Sequence, residues 1–238
     1  MTVSNQQSPA YWVVVPAAGV GARMGANIPK QYLPLLNRAV IEHTLMRLLN
    51  VPSVAGIYVA IGAQDDRWNQ LPISSHAAIH RVYGAAERAG SVLNALIVLS
   101  EIAKPDDWVL VHDAARPCIK RSDIEKLIQQ VADHSVGGIL GVPVSDTLKN
   151  VSDDIIVSTT DRRKLWQAQT PQLFRLALLR DCLQRALAEG QNITDEASAL
   201  EAFGYQPLIV KGSRTNLKIT YPEDLAIATF LLQQEIGK

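Results

Sequence analysis

Two stretches of this sequence combine residue types whose spacing could do chemistry. The first runs from Val13 to Gln31. An apolar run rich in valine ends in Pro16 and opens into Ala17-Ala18-Gly19-Val20-Gly21-Ala22-Arg23-Met24-Gly25, and Pro29-Lys30-Gln31 follows. Gly19, Gly21 and Gly25 keep side chains out of the way, so backbone N–H groups can face an anion. Arg23 and Lys30 add positive charge beside those amides. Small residues, backbone donors and two cations after a first strand suit a nucleoside triphosphate. The second stretch, Val109 to Pro117, is an apolar strand that delivers His112 and Asp113 at its carboxyl end. Carboxylates so placed serve a metal or a hydroxyl in parallel α/β enzymes. Asp113 is therefore read as functional. His112 reads as a core histidine satisfied by a partner, since no other histidine stands at ligand spacing. Arg116, fixed just before Pro117, has the guanidinium fork that suits phosphate.

The glycine-rich loop alone admits several readings. The dinucleotide fingerprint G-x-G-x-x-G fits at Gly19 and Gly21 but fails at Met24. A Walker A loop needs G-x-x-x-x-G-K-[ST], and no lysine here has that context. An ordinary glycine-rich surface loop stays open, although Arg23 and the Pro-Lys-Gln triplet weigh against it.

Four further segments carry candidate residues. Gly84-Ala85-Ala86-Glu87-Arg88-Ala89-Gly90-Ser91-Val92 is a loop running into a helix, whose N-terminus could hold a polar base edge or an anion. Asp161-Arg162 and Leu165 to Gln172 follow a polar excursion. Thr194-Asp195-Glu196-Ala197 opens a helix with Thr194 as N-cap. Lys218 alternates with apolar neighbours, and an inward lysine is costly unless paired, for instance with a triphosphate.

The elements that would position these residues alternate. Strand-like runs are Trp12–Val15, Gly56–Ile61, Ile79–Tyr83, Trp108–His112, Gly137–Val144 and Pro207–Val210. Helical periodicity places Ile41, Leu45 and Leu48 on one face of 40–49, and Val92, Leu96 and Leu99 on one face of 92–99. Ser122 with Glu125, and Thr220 with Glu223, have capping-box spacing. A helix over 176–188 closes at Gly190. This predicts an α/β fold: a Rossmann-like, three-layer, mostly parallel sheet with helices on both faces, in one domain over 1–238. Ligands in such sheets bind beyond the carboxyl ends of the strands. Asp146 to Asp161 breaks the pattern with two β-favouring pieces, 147–151 and 155–159, around Ser152-Asp153-Asp154. It reads as a hairpin without enough apolar face to fold alone, either a solvated excursion or an arm that buries itself against another subunit.

Taken together, Pro-Ala-Ala-Gly-x-Gly-x-Arg-Met-Gly, Pro-Lys-Gln-Tyr and the segments 84–92, 111–117, 161–172, 194–200 and 216–225 resemble the sugar nucleotidyltransferases. More narrowly they resemble the 2-C-methyl-D-erythritol 4-phosphate cytidylyltransferases of the non-mevalonate isoprenoid pathway. The resemblance runs nearly from end to end. It implies that CTP and a sugar-alcohol phosphate are joined with release of pyrophosphate, with Mg²⁺ or another divalent cation as cofactor. Arg23, Lys30 and Lys218 would be catalytic. Pro16, Ala17, Ala18, Gly19, Gly21, Gly84, Ala85 and Ser91 would frame the nucleotide. Asp113, Arg116, Thr147, Arg162, Thr170 and Thr194 would hold the acceptor, and Asp113 is also a candidate metal ligand, with Mg²⁺ held mainly by the triphosphate. The resemblance favours a homodimerising β-arm over 146–161, with Arg162 serving the partner's site. The family commonly shows Gly-Gly-x-Glu-Arg-x-x-Ser-Val where this chain has Ala85 for the second glycine. A related acceptor such as a pentitol phosphate, or a non-catalytic nucleotide-binding protein, are the alternatives.

Composition sets the remaining bounds. The 238 residues are 47% hydrophobic and 19% charged, as expected of a globular chain. Lysine plus arginine balance aspartate plus glutamate at 23 each, which argues against a nucleic-acid or membrane-surface partner. Cys118 and Cys182 are too few and too far apart for a disulfide framework, and free thiols point to the cytoplasm. The first ten residues lack the apolar core of a signal peptide, and no run approaches a membrane span.

Overall fold

Three consecutive valines explain where the sheet begins and why both of its faces are covered. Val13 and Val15 pack into one hydrophobic cluster and Val14 into another. Successive strand side chains point to opposite faces, so an unbroken apolar run marks a strand buried on both. The computed structural model describes residues 9–19 and 28–236. In chain order its strands are β1 (Tyr11–Pro16), β2 (Pro34–Leu35), β3 (Arg38–Ala39), β4 (Val54–Ile61), β5 (Ile79–Tyr83), β6 (Trp108–Val111), β7 (Gly137–Pro143), β8 (Leu148–Ser152), β9 (Ile155–Thr160), β10 (Trp166–Arg175) and β11 (Leu208–Lys211). Its helices are α1 (Val40–Leu49), α2 (Arg88–Leu99), α3 (Arg121–Val131), α4 (Leu176–Ala188), α5 (Glu196–Glu201) and α6 (Pro222–Ile236).

Seven strands form one sheet in the order β11-β7-β10-β6-β1-β4-β5. All its pairings are parallel except those of β10, which runs antiparallel to β6 and β7. The apolar stripes of α1 (Ile41, Leu45, Leu48) and α3 (Ile124, Leu127, Val131) cover one face. Those of α2 (Val92, Leu96, Leu99) and α4 (Leu179, Leu183) cover the other. Burying each such side chain contributes about 1.5–3 kcal/mol before the entropy of ordering it. The chain leaves β1 towards β4 and β5, then returns to place β6 on the other side of β1. That reversal opens a crevice at the carboxyl ends of β1 and β6, where open α/β sheets bind ligands.

Several boundaries differ from the sequence expectation. The helix expected at Val92 starts at Arg88, because its first turn carries polar site residues and its apolar stripe begins only afterwards. Ser122 does not cap α3, whose N-cap is Lys120 with no side-chain bond; Glu125 instead pairs with Arg121 at 2.7 Å. At α6 the capping carboxylate belongs to Asp224, not Glu223: its Oδ2 accepts from the N–H groups of Thr220 and Tyr221, each at 2.8 Å. The N-cap of α5 is Asp195, one residue past Thr194; its carboxylate accepts from the Ser198 N–H at 2.9 Å. Gly190 closes α4 as expected, at φ +69°. The ten-residue strand β10 was not expected, since Pro171 and the glutamines break its apolar pattern, and its pairing with β7 shifts register between Gln169 and Gln172.

Among the described residues, β8 and β9 pair only with each other. Asp153 and Asp154 both take positive φ, 47° and 64°, which is the two-residue turn that matches strand twist. The hairpin presents Ile155 (70% exposed) and Val157 (67% exposed) to solvent.

Candidate active site

The loop after β1 is tied down at its base. The Ala17 N–H donates to the carbonyl of Ala60 at 2.8 Å. The Gln31 side-chain amide donates to the carbonyls of Ala17 (2.8 Å) and Gly19 (3.0 Å). Gln31 is buried in the short turn Lys30–Tyr32, which also carries Lys30 to the site. The Lys30 ammonium donates to the carbonyl of Ile219 at 2.8 Å. Arg23 and Gly21 lie outside the described residues.

The segment after β5 closes over this loop. A Cβ at Gly84 would stand 2.4 Å from the Cβ of Ala18, so only glycine lets the two backbones approach this closely. Ser91, buried in the first turns of α2, accepts the Ala85 N–H at 2.9 Å and lies within hydrogen-bond reach of the carbonyls of Ala85 (3.2 Å) and Glu87 (3.1 Å). One hydroxyl thus shapes the loop. Ala85 is not among the residues at positive φ, so alanine is tolerated where the resembled family has glycine.

The end of β6 holds the electrostatic centre. Asp113 Oδ1 accepts from Arg88 Nε (3.1 Å), and its Oδ2 is held by Arg116 Nε (3.2 Å) and Lys218 Nζ (3.0 Å). Arg88 extends the network to Glu196, whose carboxylate takes both terminal guanidinium nitrogens at 2.6 and 3.0 Å. Burial opposes ionisation of Asp113, yet Arg88, Lys218 and Arg116 hold its pKa well below the ordinary value. Three cations thus face two carboxylates, and the surplus positive charge belongs to a site that also receives Lys30. Thr170 and Asn216 lie buried behind this centre. The Thr170 hydroxyl accepts the Asp113 N–H at 3.0 Å, and the Asn216 amide donates to the Thr170 carbonyl at 2.8 Å. Arg116 Nη1 donates to the Asn216 carbonyl at 2.8 Å.

Of these groups Arg88, Asp113 and Lys218 line a cavity of about 320 Å³, within the range of small-molecule sites. Its walls come from Pro16–Gly19, Lys30 and Gln31, Ala85–Arg88 and Ser91, Asp113–Ala115, Lys218 and Thr220. Gly84, with Ala18, Gly19 and Ala85, lines a neighbouring cavity of about 660 Å³. A third, of about 530 Å³, adjoins at Lys218 and Thr220 and is lined by Arg116. Backbone-walled space beside converging cations can accept a polyphosphate and, next to it, a second anionic substrate.

The comparisons with known proteins decide which such enzyme this is. The family model described as IspD, 2-C-methyl-D-erythritol 4-phosphate cytidylyltransferase, matches residues 11–234. The chain belongs to this family. The cytidylyltransferase of Pseudomonas aeruginosa is 52% identical over 227 residues, covering 94% of this chain and 96% of that relative. That of Vibrio vulnificus strain YJ016 is 50% identical over 223 residues, covering 93% and 94%. The crystal structure of the Francisella tularensis cytidylyltransferase superimposes with a TM-score of 0.82 at 41% identity, covering 93% of this chain and 99% of that one. This chain is therefore a nucleotidyltransferase with the fold of that family.

Within this cytidylyltransferase the expected residues fall into three groups. Pro16, Ala17, Ala18, Gly19, Lys30, Ala85, Ser91, Asp113 and Lys218 share the first cavity, while Gly84 and Arg116 line its neighbours. Thr170 is brought to the site as a buried support for Asp113, not as a cavity wall. Thr147, Arg162 and Thr194 line none of these cavities: Thr147 and Arg162 are exposed at the hairpin, and the Thr194 N–H bonds to Ser198 Oγ at 3.2 Å. Asp113 does not fit as a metal ligand, because both its oxygens are engaged by cations. No cluster of three or more His, Cys, Asp or Glu side chains suited to a metal exists among the described residues.

Sequence reasoning assigned no role to Gln31, Arg88 or Glu196. Glu196 is 1% exposed, and a buried carboxylate requires a partner. Arg88, in the segment already singled out, was the unpaired charge that could have signalled it.

His112 is fully buried, with Nδ1 3.0 Å from Thr170 Oγ1 and Nε2 3.3 Å from the Arg116 carbonyl. It is the satisfied core histidine that the sequence suggested. Burial lowers its pKa from 6.5 to about 4. Between those values the unfolded chain binds a proton that the folded one does not, so stability falls as pH falls through that window. Chemical denaturation should show His112 contributing about 2 kcal/mol to the loss between pH 7 and pH 5. His43, also lowered by burial, acts in the same direction, so the comparison is between wild type and His112→Asn. An equal loss in both proteins would exclude His112 as a source.

Proposed function

We propose that this chain joins CTP to 2-C-methyl-D-erythritol 4-phosphate, giving 4-diphosphocytidyl-2-C-methyl-D-erythritol and pyrophosphate in non-mevalonate isoprenoid biosynthesis. A phosphate oxygen of the acceptor attacks the α-phosphorus of CTP. The new O–P bond forms as the bond from that phosphorus to the β-phosphate oxygen breaks, and the electron pair leaves with pyrophosphate. The nucleophile is already an anion, so no general base is needed, and rate comes from positioning and charge stabilisation.

The observation that carries this reading is the convergence of Lys30 and Lys218 on a backbone-walled cavity beside a carboxylate locked by Arg88 and Arg116. Lys30, Lys218 and, from outside the described residues, Arg23 would offset charge on the α-phosphate. The Ala17–Gly19 and Gly84–Ser91 backbones, with Gly21, would frame ribose and base. Asp113 and Arg116 would face the acceptor from Lys218, Thr170 would hold Asp113 in place, and Thr194 would border the acceptor. Mg²⁺ enters this reading on the nucleotide's own phosphates, since the carboxylates present do not suit a resident ion. The exposed apolar residues of β8 and β9 support a homodimer in which the arm carries Thr147 and Arg162 to the partner's site. The cysteines are buried and unpaired, and no described helix is long and apolar enough to cross a membrane; a cytoplasmic location is part of the proposal.

A pyrophosphate-release assay crossing the four common nucleoside triphosphates with candidate acceptors tests it. Turnover should require CTP and the methylerythritol phosphate. A base read by hydrogen bonds should be preferred over UTP, whose oxygen replaces an amino donor, by about a hundredfold or more in kcat/KM. Comparable UTP turnover would reject the base pocket. Turnover of a pentitol phosphate instead would identify a different acceptor, and binding without release would favour a nucleotide sensor.

A further inference from the structure

Gly90 sits inside α2, where glycine is less favourable than alanine. No positive φ is recorded at this position, so backbone conformation does not demand glycine there. What demands it is the neighbouring methyl group. A Cβ built on Gly90 would stand 2.9 Å from the Cβ of Ala85, closer than two carbons can pack. Ala85 has no flexible end to swing aside, so a side chain at 90 could be admitted only by moving the backbone of one of them. The helix is held by its own hydrogen bonds and by Ala89 and Val92 in the core. Ala85 lies outside the helix, in the loop before it, and lines both the main cavity and the one beside it.

We infer that Gly90 is a positioning residue for nucleotide binding: its missing side chain makes room for the Ala85 methyl and so lets the 84–88 loop seat against Ser91. The inference rests on the reading of that loop as the base pocket. Ala85 and Gly90 would then act as one unit, each tolerable because of the other. Gly90→Ala overfills the contact, displaces Ala85 and misaligns the carbonyls and N–H groups that Ser91 holds. Ala85→Gly removes the obstructing methyl, so the double variant regains the loop position.

The test is a double-mutant cycle over wild type, Ala85→Gly, Gly90→Ala and Ala85→Gly/Gly90→Ala. Gly90→Ala should raise KM for CTP about tenfold or more, with the KM for the acceptor nearly unchanged, since a small misplacement of binding groups costs this much. The double variant should return KM for CTP to the value of Ala85→Gly alone. A Gly90→Ala protein with wild-type KM, or a double variant no better than Gly90→Ala, overturns the inference. Thermal melting without ligand separates this from failure of the base assignment. Gly90→Ala alone should melt no higher than wild type despite its better helix propensity, whereas in the Ala85→Gly background the same change should raise the melting temperature. Equal stabilisation in both backgrounds overturns the contact itself. Coupled melting without coupled KM values leaves the contact standing and removes its role in nucleotide binding, which also overturns the inference.

Discussion

Lys30→Ala is expected to reduce kcat on the order of a hundredfold or more while the affinity for CTP changes little. The reason lies in where charge grows. Under the proposal, the ground-state triphosphate would already be neutralised in part by a divalent cation and by backbone donors. In the transition state the α-phosphorus carries the incoming oxygen as well as the departing one, and a fixed cation gains most at that point. The turn Lys30–Tyr32 is rigidly set: Gln31 is anchored to two carbonyls of the first loop, and Tyr32 donates its hydroxyl hydrogen to Asp65 at 2.8 Å. The Lys30 ammonium is thereby delivered to the cavity that Lys218 also lines, with the Ile219 carbonyl at 2.8 Å as an orienting acceptor. Steady-state kinetics with both substrates saturated in turn separates kcat from KM, and Lys30→Met keeps most of the stem while removing the charge. Turnover near the wild-type rate in both variants would exclude Lys30 from the chemistry. A fall in the alanine variant alone would assign the effect to packing.

The part of this site that could be read from the sequence is the part written in local signals. Val13–Val15 followed by a small-residue loop marks a strand end, and Asp113 after an apolar run marks another. That these two ends adjoin follows from β1 and β6 being neighbours at the reversal of strand order. What local signals do not contain is pairing across the chain. Arg88 meets Glu196 over 108 positions, and Arg116 meets the Asn216 carbonyl over 100. Neither partner is distinctive where it stands: Glu196 looks like an ordinary acidic residue at a helix start. Lys218 shows the same limit in another form. Its alternation with apolar residues correctly required a partner, but the partner present in the fold is Asp113. β10 escaped because an antiparallel strand interrupted at Pro171 carries neither the continuous apolar run of its parallel neighbours nor a clean alternation.

The remaining large effect concerns the arm, and its test uses two impaired proteins. Among the described residues β8 and β9 join no other strand, and their exposed Val151, Ile155, Ile156 and Val157 stand on a hairpin too small to fold alone. Under the proposal, a second copy covers it and Arg162, just past the arm, reaches that copy's acceptor site. Among the described residues of its own chain, the Arg162 side chain donates to the Ser145 carbonyl at the root of the arm. Arg162→Ala should therefore raise the KM for the sugar phosphate strongly, about tenfold or more for a charge-assisted phosphate contact, with little change for CTP. Mixing Arg162→Ala with Lys30→Ala sharpens the test. In a mixed dimer one site carries both lesions, while the other has an intact Lys30 and receives an intact Arg162 from its partner. Activity at acceptor concentrations where each parent is nearly silent should return to about half the wild-type value per mixed dimer. Native mass spectrometry confirms that subunits have exchanged. If exchange is complete and no activity returns, Arg162 does not act across the dimer. A monomer by light scattering at the assay concentration would reject the arm as a dimer contact altogether, and the exposed apolar residues of β8 and β9 would then need another explanation.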